Sequence, residues 1–166
     1  MPAIKRPESK VLIRFPDCDP FNHLNNSRYI DYFINAREDH LYLNYQFNPY
    51  QYAQEKLLSW VVTQNQISYL RPAMLMEKVI IQSHVLRFDQ RDIHVEMTMW
   101  DLQKKTLKAI IWTTFTHYNF KTMKSEIHSQ ELIDKFKPLE DPLEREMSFE
   151  ERVKEVRAGG FSPEQI

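Results

Sequence analysis

The chain has 166 residues, the size of one domain, and 42% of them are hydrophobic, enough for a packed core. Its 22 basic and 23 acidic residues leave a net charge of -1, which gives no electrostatic footprint for nucleic acid or an anionic membrane. The two glycines, Gly159 and Gly160, exclude a phosphate-cradling loop and a dinucleotide fingerprint, no apolar run approaches the ~20 residues that span a bilayer, and the lone Cys18 excludes an internal disulfide.

Residues 1–9 read as a disordered lead. The opening MPAIKRPESK has no apolar core and does not read as a signal peptide, so a reducing, cytoplasmic compartment is expected. Val11 to Phe15 predicts a strand. Pro16 and Pro20 bracket a loop, because proline donates no backbone hydrogen bond and restricts its neighbour. Asn25 or Asn26 is then placed to cap a helix. From Ser27 to about Tyr45 no proline or glycine intervenes, and Ile30, Phe33, Ile34, Arg37 and Leu41 recur at helical spacing. Asn48-Pro49 ends that helix, and a short second one is expected over Pro49 to Leu57.

Four strands are predicted next: Trp60 to Leu70, Val79 to Phe88, Ile93 to Trp100 and Leu107 to Phe120. In the third, Ile93, Val95, Met97 and Met99 face one way and His94, Glu96 and Thr98 the other. Short polar links join the last three, which predicts an antiparallel meander. Strand, long helix, four strands is an α+β order, and the long helix is the element able to cover the sheet's apolar face. A curled antiparallel sheet wrapped around one helix is the expected fold. Residues 121–166 read as a helical extension, packed on the sheet or on a neighbouring subunit. Gln130 to Phe136 is one turn or two, and Ser148 to Arg157 is a charged helix with Ser148 and Glu151 at capping-box offset.

The loop Asp17-Cys18-Asp19-Pro20-Phe21-Asn22-His23 sets two carboxylates and an imidazole before a helix start. Helix N-termini present unpaired N–H groups that stabilise an oxyanion, and a nearby carboxylate serves as nucleophile or as base toward water. The same residues also fit an Asx-turn loop with caps and a packed histidine. Asp17 is the rival carboxylate to Asp19. An aspartyl-phosphate loop conflicts with Phe21 and with the order of elements. A calcium loop from Asp17 fails at Asn22 and Arg28. The other histidines form no H-x-x-x-H pair, so no metal is expected.

Two segments carry a resemblance. Asp19-Pro20-Phe21-Asn22-His23-Leu24-Asn25-Asn26-Ser27-Arg28-Tyr29 is similar to the D-x-x-x-H-V-N-N-x-x-Y motif of hotdog-fold acyl thioesterases. Ile67-Ser68-Tyr69-Leu70-Arg71-Pro72-Ala73, followed by Glu77-Lys78-Val79, is similar to that family's I-x-Y-x-x-P-A segment and the strand after it. The relatives are 4-hydroxybenzoyl-CoA thioesterase-like proteins and plant acyl-carrier-protein thioesterases. The resemblance covers residues 10 to about 120 and implies a hotdog fold of five antiparallel strands around one central helix. It implies hydrolysis of an acyl thioester, most directly acyl-CoA, without a cofactor.

By position, Asp19 falls on the family's catalytic carboxylate and His23 on its histidine near the thioester. Leu24, Asn25 and Asn26 fall at the helix start that supplies oxyanion N–H groups. Tyr29 and Phe33 are candidates to line the acyl tunnel, and Arg71 to meet CoA phosphates. Two departures stand out. Many CoA thioesterases of this group have glycine at the position of Asn22, and the plant enzymes have a catalytic asparagine at the position of Phe21. The resemblance also implies subunits paired edge to edge, as a homodimer or homotetramer. A hydratase or dehydratase on carrier-bound acyl chains, and a non-catalytic acyl-CoA-binding protein, are the alternatives on the same scaffold.

Overall fold

A computed structural model describes residues 3–159; residues 1–2 and 160–166, with Gly160 of the glycine pair, lie outside the described residues. The chain runs β1 (Glu8–Leu12), α1 (Tyr29–Tyr45), α2 (Pro49–Lys56), β2 (Leu58–Tyr69), β3 (Lys78–Phe88), β4 (Asp92–Asp101), β5 (Leu107–Asn119), β6 (Lys124–Ser125), α3 (Gln130–Phe136) and α4 (Phe149–Arg157). All pairings between these strands are antiparallel, in the order β1-β3-β4-β5-β2, and the two-residue β6 adds to β5. The meander of β3, β4 and β5 is the expected one. β2 crosses to the far edge and leaves one side of its ladder without a partner strand among the described residues.

The register shifts between Val62 and Gln64 in β2 and between Val85 and Arg87 in β3. An extra residue in one strand sharpens local twist and bend, which curls the sheet onto α1. Tyr29, Tyr32, Phe33 and Ala36 of α1 are buried against Ile81, Val95, Met97 and Met99. Their spacing of three and four residues forms one helix face. Proline at the start of α2 suits a first helical turn, and the Asn48 side chain accepts the Tyr50 and Gln51 N–H groups.

Two expectations shift. The first strand begins at Glu8 rather than Val11 and ends at Leu12, because Phe15-Pro16-Asp17 form a 3-10 turn. Part of the 1–9 segment therefore lies in the sheet, and Lys5 and Arg6 hold Glu140 and Asp141. The short β6 had no counterpart in the sequence reading.

The C-terminal extension packs on the face of β4 that bears Glu96. Glu96 and Thr98 are buried, 1% and 2% exposed; α4 lies over Glu96, and Thr98 accepts the Trp100 indole N–H at 2.9 Å. Arg152 of α4 donates twice to Glu96, from Nε at 2.9 Å and Nη2 at 2.8 Å, and Trp112 Nε1 donates at 2.7 Å. His84 lies 3.2 Å from Glu96 and 3.3 Å from Asp141. The capping box at Ser148 and Glu151 forms as expected.

A second cluster joins Phe47, Phe88, Leu132, Phe136 and Leu139, with Tyr52 and Trp60 packed on it. Rings of His117 and His128 stack there, their centroids 5.0 Å apart. Trp60 Nε1–H donates to His128 Nε2 at 3.0 Å, and His128 Nδ1 lies 2.9 Å from the Asp89 carbonyl.

Candidate active site

Backbone pairing closes the loop before α1 into a narrow hairpin. The Asp19 N–H donates to the His23 carbonyl at 2.8 Å, and the Asn25 N–H to the Asp17 carbonyl at 2.9 Å. Inside it, Asp19 Oδ1 accepts from the Phe21 N–H at 2.9 Å and the His23 N–H at 3.0 Å. That is the Asx-type turn, and it fixes the carboxylate's direction. Oδ2 of Asp19 makes no hydrogen bond among the described residues. The acid is thus oriented by one oxygen and available through the other.

Asp17 is committed elsewhere. Its Oδ2 accepts the Tyr32 hydroxyl at 2.7 Å, and Arg28 Nε lies 3.8 Å from Oδ1. Burial and the Asp17 charge push the Tyr32 hydroxyl up to about 12, which keeps it a donor. Of the two loop carboxylates, only Asp19 keeps an unengaged oxygen. Burial and the two flanking aspartates push the Cys18 thiol up, so it is a poor nucleophile near neutral pH.

The helix start narrows the candidate oxyanion donors. Leu24 N–H donates to the Ala73 carbonyl at 2.8 Å, and Asn25 N–H is spent on Asp17. Asn25 is the cap, its Oδ1 accepting the Ser27 N–H, and a 3-10 turn over Asn26–Arg28 leads into α1. The Asn26 N–H has no acceptor among the described residues. His23 is half-buried, with its ring centroid 6.4 Å from that of the exposed Phe21.

The two motif segments, some forty residues apart in the chain, meet here. Leu75 N–H donates to the Asn22 carbonyl at 2.8 Å, and Met76 N–H to Ile13 at 3.0 Å. Tyr29 is 2% exposed, and its hydroxyl accepts the Ala73 N–H at 3.1 Å. The Tyr69 hydroxyl donates to the Asn26 carbonyl at 3.0 Å, and the two tyrosine rings meet edge to face. Beneath them Lys108 pairs with Glu77 at 2.8 Å and donates to the Pro72 carbonyl. Asp19, His23, Asn25, Asn26 and Tyr29 are therefore brought together. Phe33 is fully buried in the core, and Arg71 is exposed. Tyr69 is the contributor that sequence reasoning did not single out. Its signal was the tyrosine of the I-x-Y segment.

One departure from the family pattern now has a physical reason. Asn22 has φ of 61°, in the left-handed region that glycine enters freely and asparagine enters next most readily. Among the described residues one trio, Asp89, Asp92 and His94, brings ligand-type atoms within 4.8 Å of one another. His94 lies 3.1 Å from Asp89 and from Thr114, and Thr116 donates to Asp92, so these groups serve the β3–β4 turn.

With this geometry in place, likeness to known proteins is informative. Residues 13–155 match the thioesterase-like superfamily. The chain belongs to that superfamily. The match runs past residue 120 and takes in the C-terminal extension as far as residue 155. Long-chain acyl-CoA thioesterase FadM of Escherichia coli (strain K12) is 24% identical over 132 residues, which cover 80% of this chain and 98% of FadM. Among solved structures, the DHNA-CoA thioesterase of Staphylococcus aureus superposes with a TM-score of 0.72 at 14% identity, covering 95% of this chain and 96% of its own. Protein SAV2348 of Staphylococcus aureus, solved in complex with CoA, gives 0.73 at 11% identity over 86% of this chain and 94% of its own. The fold of this superfamily member is the hotdog.

Proposed function

We propose that this chain hydrolyses an acyl thioester, with acyl-CoA as the substrate class. The observation that carries the reading is Asp19, held by two N–H groups through Oδ1 and open at Oδ2, beside a helix start whose Asn26 N–H is unspent. Membership of the thioesterase-like superfamily and the likeness to FadM support the substrate class.

In this reading the Asn26 N–H meets the thioester oxygen as negative charge develops on it. Asp19 Oδ2 takes a proton from water, whose oxygen bonds to the carbonyl carbon, or attacks that carbon itself. The carbon–sulfur bond then breaks and the thiolate leaves with its electron pair, to be protonated to the free thiol. Where Asp19 attacks first, water cleaves the resulting anhydride. His23 orients the carbonyl or the water, and Tyr69 steadies the helix start by its bond to the Asn26 carbonyl. The open edge of β2 supports pairing of two subunits there, because an unpaired ladder invites another strand.

Free-thiol release from a panel of acyl-CoAs tests this. Asp19→Asn is expected to lower kcat by about 10²- to 10⁴-fold, and Asp17→Asn, whose side chain still accepts from Tyr32, only a few-fold. Full activity in Asp19→Asn would overturn the assignment. Acyl-CoA binding without thiol release by the wild type would point to the non-catalytic alternative.

A further inference from the structure

An apolar cavity of about 260 Å³ lies between α1, α2, α3 and the inner face of the sheet. Leu41, Phe47, Trp60, Val85, Phe88 and Phe136 are among its walls. Two charged residues break that pattern, and one of them, Glu38, is engaged by the Tyr50 hydroxyl, which donates to its Oε1 at 2.7 Å; the other is Arg37. It lines the cavity and is only 6% exposed. Its guanidinium donates to Ser83 Oγ at 3.1 Å and sits 5.8 Å above the Tyr45 ring. Among the described residues it has no carboxylate partner. Burial pushes its charge loss toward lower pH, opposed only by the Tyr45 hydroxyl. Beside it, His40 Nε2 is buried without a hydrogen-bond partner.

A buried cation without a counter-ion is costly, and the cost disappears when an anion docks. Guanidinium presents a planar fork of donors that matches a carboxylate. An apolar cavity of about 150 Å³ holds benzene, so this one holds about ten non-hydrogen atoms. We propose that the cavity binds an apolar chain of about eight carbons that ends in a carboxylate, with the carboxylate on Arg37. Apolar walls take the chain and Arg37 takes the charge. A neutral chain fills the same space but leaves Arg37 unpaired. The proposal goes beyond the hydrolysis reading and does not depend on it.

Calorimetric titration of the intact protein with octanoate and with octanol tests it by binding alone. Octanoate is expected to bind about 10- to 100-fold more tightly than the alcohol, the range for a hydrogen bond to a charged group. Arg37→Met is expected to abolish that preference while octanol binding persists. Replacing an uncompensated buried charge by an apolar side chain of similar length is compatible with folding. Should that variant not fold, the acid-to-alcohol ratio of the wild type decides alone. Equal binding of acid and alcohol, no binding of octanoate, or an undiminished preference in folded Arg37→Met would overturn the proposal. The same carboxylate reaches Arg37 from a free fatty acid or from the far end of an acyl thioester. Comparing octanoate with the non-hydrolysable CoA thioether of an ω-carboxylated octyl chain separates them: whichever binds more tightly is the occupant, and either order supports the assignment.

Discussion

At Asn22 the backbone sits at φ of 61°, where a residue with a branched side chain loses about 1–2 kcal/mol and glycine loses nothing. The Asn22 carbonyl also receives the Leu75 N–H, so this one residue both turns the loop and ties it to the second motif. Asn22→Val is expected to lower the unfolding free energy by about 1–2 kcal/mol, and Asn22→Gly to leave it close to the wild type. Urea denaturation of both variants checks this; an equal loss in the two would rule out the backbone as the cause. Residues of this kind were partly legible. The D-x-x-x-H spacing placed Asp19 and His23 side by side, because a short loop leaves little freedom. The spent amides of Leu24 and Asn25 were not legible, since their acceptors are Ala73 and Asp17. Nothing local in the sequence says which N–H a distant carbonyl will claim.

The alternation along β4 correctly sorted Val95, Met97 and Met99 to the α1 side, but it could not say what meets the opposite face. A capping box predicts that a helix forms at Ser148, whereas docking of that helix depends on Arg152 meeting Glu96 across 56 positions of chain. Arg152 therefore works as a pin between α4 and the sheet. Its side chain is 12% exposed, and that of Glu96 is 1%. Removing one partner of a buried, hydrogen-bonded pair strands the other charge. Arg152→Leu is thus expected to cost roughly 3–5 kcal/mol and to loosen the C-terminal segment. Thermal unfolding and protease susceptibility after residue 140 measure the two effects; an unchanged melting temperature with an intact C-terminus would show that α4 docks by its apolar face alone. The long elements were readable from period and punctuation, as was the pairing of β3, β4 and β5 through their short links, whereas the two-residue β6 and the docking of α4 were not, because long-range contacts set them.

For the molecule as a whole, pH acts through groups buried on both sides of the sheet. Burial pushes His117 and His128 below their ordinary value, and burial together with the Arg37 charge pushes His40 to about 4. A histidine held neutral in the fold gives its full stability above pH 6.5. That stability is lost as pH falls below 6.5 toward its folded value, because the unfolded chain takes up protons first. His40 alone accounts for roughly 3 kcal/mol of that loss. Glu96 is opposed by burial, but His84 and Arg152 outweigh it and hold the carboxyl down at about 2; its share is present above pH 4.5 and lost below. His84 runs the other way. Burial lowers it, but the bonds to Asp141 and Glu96 win and raise it, so its share is present below pH 6.5 and lost as pH rises through its folded value. Stability is expected to peak near neutrality and to fall steeply from pH 6.5 to 4. A melting temperature constant over that range would contradict these assignments. The overall α+β order was legible at this scale because few arrangements bury one long helix against five strands.

The contact between Trp60 and His128 has an optical consequence. Because the indole N–H donates, His128 Nε2 must be bare and its single proton must reside on Nδ1, facing the Asp89 carbonyl. A second proton can enter only at Nε2, against the indole, and must push the ring pair apart. Trp60 therefore carries a built-in signal: its emission changes when the imidazole beside it becomes a cation, and the protein reports on its own protonation without a dye.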